Sequence, residues 1–399
     1  MVQPELILDV VIDSSSSSPS TKPAVQSAII KNDHHQEKED SKPSSLILAN
    51  TNASYFRICI SLGAQALLWK TLSEKKDMII SPPSTTFDHN LYFIKLPSTA
   101  FFLLWCLSVV VLTCFSTIYA LRCVFHFNMV KAESKHHVGV NYLFAPWISW
   151  LLLLQSAPAS LLVVFGNKHS CGYYIWWLPL VPVVCLDVKV YGQWFTTEKR
   201  FLSMVANPTS QLSVIANFVG AHAAVKMGWR ETGTCLFTLG LAHYMVVFIT
   251  LYQRLSGSNR IPSKLRPVFF QFVATPSMAS LAWKSINGSF DIQCKMLFFL
   301  SLFLFTSLAS RPMLFKKSVR EFSVEWWAFS YPLTFLALAS TAYAQQVKDL
   351  TATGLAAVLS AVSVLVFLFL LVLSTFKIDL LLNNQILKYS NHSPSKIVP

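Results

Sequence analysis

The chain has 399 residues, of which 53% are hydrophobic and 13% charged, about half the charged share usual in a soluble protein. A soluble fold this apolar would expose aggregating patches, whereas a bilayer accepts them as solvent. The net charge of +13 does not point to a nucleic-acid partner, because the basic residues lie in short loops between apolar runs, where Lys and Arg set topology and meet anionic headgroups.

Residues 1–50 read as a disordered N-terminal tail. They hold a serine run, Ser14 to Ser18, with Pro19, Pro23 and the mixed-charge stretch NDHHQEKEDSK, and too few apolar groups to offset the entropy of ordering. The start lacks the basic region of a signal peptide and carries Glu5 and Asp9, so the first span is expected to act as the targeting signal. The pair His34-His35 has no companion ligands at metal spacing, and neither a metal nor a cofactor is expected.

Apolar spans follow at 56–73, 98–121, 143–165, 173–190, 209–227, 232–252, 268–286, 292–310, 324–345 and 351–375. Each is close to the roughly 20 residues that cross a bilayer as a helix. The expectation is an all-α integral membrane protein with ten transmembrane helices over 51–376, closed by a short polar C-terminal tail, 377–399.

Loops after even-numbered spans carry Lys131 and Lys135; Lys199 and Arg200; Arg254, Arg260, Lys264 and Arg266; and Lys316, Lys317 and Arg320. Loops after odd-numbered spans are poorer, with Lys75, Lys76, Lys95, Lys168, Arg230 and Lys348. The asymmetry predicts that the even loops and both tails are cytosolic. The sequon Asn287-Gly288-Ser289 falls in the outside loop after span seven and agrees; Asn287 is the glycosylation candidate. The sequons at Asn52 and Asn391 fall on the cytosolic side.

A two-span rhythm runs through the chain. Every odd span carries an internal Gly or Pro, namely Gly63, Pro158, Gly220, Pro276 and Pro332, and among even spans only the fourth and sixth clearly do so. Such residues are best tolerated where neighbouring helices or a water-filled cavity satisfy the freed backbone groups. The pattern suggests five helical hairpins, kinked odd helices inside and straighter even helices outside, although Gly and Pro are frequent in membrane helices generally.

Chemistry is sparse. Ionisable groups mark proton and ion routes when they lie deep in a span, and here they are nearly missing. Asp187 and Lys189 read as lying at the end of span four, within reach of headgroup water; His243 reads as a packed neutral histidine, and Glu325 as a carboxylate favouring the start of a helix. No HExxH, Walker loop, GxSxG or pair of intramembrane acids is present, so no enzymatic activity is expected. The eight cysteines form no CxxC pair; a Cys171–Cys294 disulfide stays open, with free thiols the simpler reading. Any single aromatic reads first as packing or an interface anchor. Tyr331 stands apart, mid-span beside Pro332 on an internal helix, where a large ring could plug a pore.

Six strings in order then point to a family: GAQALLW (63–69), VNYLFAPW (140–147), KVYGQWF (189–195), VANPTSQLSVIANFVGA (205–221), AHYMVVFITLYQRL (242–255) and FSVEWWAFSYPLT (322–334). Through them the chain resembles the plant slow-type (S-type) anion channels, relatives of the microbial tellurite-resistance/dicarboxylate transporters. The resemblance implies five helical hairpins in a pseudo-fivefold ring around a central pore in each protomer, a trimeric assembly, and passage of chloride and nitrate across the plant plasma membrane. It also implies a phenylalanine gate on the ninth helix supported by a second on the third. Here Tyr331 and Leu152 occupy those positions. Lys131, Lys199 and Arg200 match an electropositive cytosolic funnel, which positive-inside topology would equally produce. The alternatives are an electrically silent subunit of a mixed trimer and a malate-type organic-acid carrier.

Overall fold

The computed structural model describes Leu48 and residues 51–74, 98–161, 171–196, 207–255, 263–316 and 322–377. The predicted tail 1–50, apart from Leu48, and the end of the chain after Lys377 lie outside them, as do Lys199 and Arg200. Among the described residues every regular element is helical.

The long helices are numbered in chain order: α1 Phe56–Glu74, α2 Ser98–Phe125, α3 Ala145–Gln155, α4 Trp177–Thr196, α5 Gln211–Lys226, α6 Arg230–Leu255, α7 Gln271–Asn287, α8 Ile292–Ala309, α9 Ser330–Val347 and α10 Leu350–Phe376. Among the described residues five regions, around α2, α4, α6, α8 and α10, are long and apolar enough to cross a membrane, with mean hydropathy from 1.4 to 3.0. The bent pair Phe127–Lys135 and Gly139–Gln155, which includes α3, passes as one broken span.

Apolarity and burial divide the helices into two kinds. Large apolar side chains stand exposed along α2, α6, α8 and α10, such as Leu103, Val110, Ile249, Phe303, Leu365 and Phe369, the pattern of a lipid-facing surface. In α5 every residue from Gln211 to Ala224 is buried, in α7 every residue from Gln271 to Ala282, and in α9 every residue from Ser330 to Ala342. These inner helices are rich in Ala, Ser, Thr and Gly, which let backbones approach where lipid supplies no hydrophobic drive between helices. Their hydroxyls fold back on the helix itself, as Ser277 does on the Val273 carbonyl and Thr341 on that of Ala337.

The packing order is regular. α1 packs on α3, α3 on α5, α5 on α7, α7 on α9, and α9 returns to α1. Each of these also packs on the helix that follows it in the sequence: α1 on α2, α3 on α4, α5 on α6, α7 on α8 and α9 on α10.

The predicted helix breakers occupy distinct positions. α1 runs through Gly63, where an added Cβ would stand 3.0 Å from the Leu152 Cβ; the glycine sets the α1–α3 approach. α5 runs through Gly220, whose missing side chain makes room for Leu180 and Leu236. Pro276 is buried inside α7, flanked by Thr275 and Ser277, which bond back to the Gln271 and Val273 carbonyls. Pro158 is not inside a helix as expected: α3 ends at Gln155 and Pro158 follows the break. Pro332 is not mid-span either, because span nine divides into a 3-10 turn, Val324–Phe329, and α9. It lies in the first turn of α9, where its missing N–H has no intrahelical partner to lose.

Candidate functional site

The inner helices begin in a common way. Short turns, Ala53–Tyr55, Pro208–Ser210, Ser263–Phe270 and Val324–Phe329, lead into α1, α5, α7 and α9, and the helical turn Gly139–Tyr142 precedes α3. Asn52 and Asn207 accept the backbone N–H of Ser54 and Thr209, side-chain caps that fix where two of these turns start.

A buried polar layer joins these starts. Gln271, the first residue of α7, donates through Nε2 to the Tyr331 hydroxyl at 2.5 Å. Thr275, one turn on, lies 2.9 Å from Oε1 of Gln211, the first residue of α5. Asn141 Nδ2 reaches the hydroxyls of Thr209 and Ser210, both at 3.3 Å. Arg57, the second residue of α1, lies with its guanidinium carbon 4.5 Å from the centre of the Tyr142 ring. Its Nη2 meets Glu325 Oε1 at 3.4 Å. Arg57, Gln211, Gln271 and Tyr331 are all fully buried.

Tyr331 forms the aromatic centre of this layer. Its ring packs edge-on against Phe335 at 6.1 Å, and its hydroxyl accepts from Gln271. Leu152 is likewise fully buried, on α3, in the same apolar cluster as Tyr331 and Phe335. Among the other candidates, Lys131 is exposed on the short helix Phe127–Lys135. Asn287 is exposed at the end of α7, where its Nδ2 donates to Asp291 at 2.7 Å. Cys294 is a buried free thiol; the side chain of Cys171 lies outside the described residues.

Two expectations about ionisable groups change. Asp187 is not at a wet helix end: it is 4% exposed and accepts from Asn217 Nδ2 at 2.8 Å. Glu325, expected only to favour a helix start, faces the Arg57 guanidinium across the layer. Sequence reasoning missed Arg57, because an arginine at the start of an apolar span reads as one that snorkels to the headgroups. It also missed Gln65, whose amide meets Thr334 and Ser363 and ties α1 to α9 and α10. His243, as expected, is packed, 1% exposed with Ser213 against its ring nitrogens.

An all-helical, multi-pass membrane protein with a polar and aromatic layer closed at its inner helices is the class these features define. The family model described as SLAC1, voltage-dependent anion channel, matches residues 50–375. The chain belongs to this family. It is 54% identical over 349 residues to the S-type anion channel SLAH1 of Arabidopsis thaliana, covering 87% of each chain. It is 50% identical over 358 residues to S-type anion channel SLAH4 of the same plant, covering 89% of this chain and 92% of the relative. It is 41% identical over 308 residues to the guard cell S-type anion channel SLAC1, covering 77% of this chain and 52% of that longer protein. These relatives are named channels, not enzymes.

Proposed function

We propose that the chain is a passive slow-type channel of the plant plasma membrane that passes chloride and nitrate through one pore in each protomer. The ten long helices form five hairpins in a pseudo-fivefold ring, with α1, α3, α5, α7 and α9 around the pore. The return of α9 onto α1 and the burial of α5, α7 and α9 support this arrangement. Residues 51–376 are the channel domain, both tails are cytosolic, and the assembly is a homotrimer or a mixed trimer with related subunits. Lys131, Lys199 and Arg200 gather anions at the cytosolic mouth, and Asn287 is available for glycosylation outside.

The observation that carries the gate is Tyr331, fully buried where the inner helices start and held by Gln271. A ring at that place closes the pore sterically and excludes water, with Leu152 filling the opposing space beside Gly63. Tyr331→Ala is expected to raise basal anion current in a voltage-clamped cell. Unchanged current and selectivity in a surface-expressed mutant would remove Tyr331 from the gate.

The Tyr331–Gln271 bond also favours a second reading, in which the latched ring leaves this chain electrically silent and its work is to modify a conducting partner in a mixed trimer. Recording from the chain expressed alone and with a longer-tailed relative separates the two.

A further inference from the structure

Arg57 is the one side chain of the polar layer whose hydrogen bonding is conspicuously incomplete for its charge. The guanidinium carries donors only, and its side chain is 0% exposed. Nε donates to the Ser54 carbonyl at 3.3 Å, Nη2 lies 3.4 Å from Glu325, and Nη1 has no partner. The Glu325 contact is long for a charge-assisted bond, which closes to about 2.7–2.9 Å. Glu325 is also 24% exposed and shares its charge with solvent. The nearby carboxylate of Glu133 is engaged by Arg122 and by the Ala53 N–H. A buried cation therefore stands with an unmet donor and a weak counter-charge, a costly state unless something else completes it.

We propose that Arg57 Nη1 is a binding position for a small monovalent inorganic anion, the last one occupied before the Tyr331 ring. The proposal rests on the channel reading. The surroundings suit a negative charge. Arg57 stacks on the Tyr142 ring and meets Glu325 in the turn that leads into α9, the helix that carries Tyr331. Gln211 Nε2, at the start of α5, is a second buried donor with no partner. One guanidinium partly offset by Glu325 matches one negative charge, and its planar fork suits the coplanar oxygens of nitrate as well as chloride. Glu325, the part of the cluster that reaches solvent, marks the approach and competes with the arriving anion.

The test uses the purified full-length chain in nanodiscs, its melting temperature followed as sodium gluconate is exchanged for sodium nitrate or chloride at constant ionic strength. A ligand of the folded state raises the melting temperature saturably. The wild type is expected to show that saturable rise, and Arg57→Gln to need at least about tenfold more anion for half-saturation, the scale set by losing a hydrogen bond to a charged group. Glu325→Gln, which removes the competitor, is expected to half-saturate at severalfold lower anion. A folding defect does not produce that opposite shift, so the proposal stays testable if Arg57→Gln fails to fold. No saturable rise in the wild type, equal half-saturation in Arg57→Gln, or an unmoved or weakened Glu325→Gln each overturns it. Liposome flux of the same anions is read separately: flux with unaltered binding in Arg57→Gln sinks the site and keeps the channel, whereas binding without flux keeps the site and sinks the channel.

Discussion

Gln271 Nε2 donates to the Tyr331 hydroxyl across 2.5 Å, and both side chains are fully buried. The bond joins the first turn of α7 to the first turn of α9, so the aromatic ring is held by a polar contact as well as by packing. A phenylalanine at position 331 would keep the ring and lose the latch.

Tyr331→Phe leaves the Gln271 amide buried and unmet, which costs about 1–3 kcal/mol, whereas removing both partners comes closer to neutral. Melting temperatures should therefore fall in Tyr331→Phe and in Gln271→Leu, and fall less in the double variant than the two losses summed. Basal current in Tyr331→Phe should exceed wild type and stay below Tyr331→Ala. Additive losses of melting temperature would show that the two side chains act independently.

The α1–α3 contact gives a second expectation. A Cβ at Gly63 would meet the Leu152 Cβ at 3.0 Å, and both atoms are fixed to backbone, so the helices must part. Gly63→Ala should destabilise the protein by about 1–3 kcal/mol, the usual cost of overpacking, despite the better helix propensity of alanine. Leu152→Ala keeps the offending Cβ and should not rescue it; Leu152→Gly should. Rescue by Leu152→Ala, read in the melting temperature, would show that the outer part of the leucine is the obstacle.

The apolar outer helices were legible because lipid demands a long apolar run, and α10 with mean hydropathy 3.0 is the extreme case. The inner helices were harder to delimit, because protein surrounds them and their sequences need only small residues. Span nine shows the effect: FSVEWWAFSYPLT is apolar enough, despite Glu325, to read as part of one span, yet it divides before Ser330. Asp187 misled for a related reason, since distance along a span does not tell whether water or a neighbouring helix lies beside it. In the candidate site, Tyr331 was singled out through its Pro332 neighbour, although that proline lies in the first turn of α9 and not mid-span. Arg57 was not, since its partners Tyr142 and Glu325 are distant in sequence and brought to it only by the packing of α1 against the starts of α3 and α9.

Arg122 and Glu133 form a clamp on the chain entering α1. Their side chains are 6% and 10% exposed and meet at 3.1 Å. Arg122 also donates to the Thr51 carbonyl, and Glu133 accepts the Ala53 N–H at 2.9 Å. Removing one member strands the other, at about 3–5 kcal/mol for a buried pair. Arg122→Met and Glu133→Gln should each lower the melting temperature and speed proteolysis ahead of Phe56. An unchanged cleavage rate in both would show that the clamp does not hold that segment.

Asp187 supplies the buried carboxylate that an organic-acid carrier would need, but its position argues against that role. Its partner Asn217 lies on the side of α5 that meets α6, with its Cβ 3.0 Å from where a Cβ on Gly240 would stand. Gln211 instead turns toward α7 through Thr275. Asp187→Asn should therefore leave the pH profile of anion current within about twofold of wild type, since a proton relay has to lie on the ion route. A profile flattened by the substitution would favour proton-coupled transport.

Asp291 gives a pH dependence outside the membrane-spanning segments. It caps α8 by accepting the Cys294 N–H at 3.1 Å, and it also accepts the Trp283 indole N–H at 3.0 Å. Burial pushes its carboxyl up, but these hydrogen bonds to the charged form outweigh it and hold the pKa below the usual aspartate value. A depressed folded-state pKa contributes stability that is fully present above the unfolded value, about 3.9, and is lost as pH falls through the folded one. Wild-type melting temperature should thus decline as pH drops below about 4, and Asp291→Asn, which still caps but cannot ionise, should decline less. Asp291→Ala should lose about 1 kcal/mol at neutral pH, the usual worth of such a cap. Parallel acid profiles for wild type and Asp291→Asn would assign the acid sensitivity to other carboxylates.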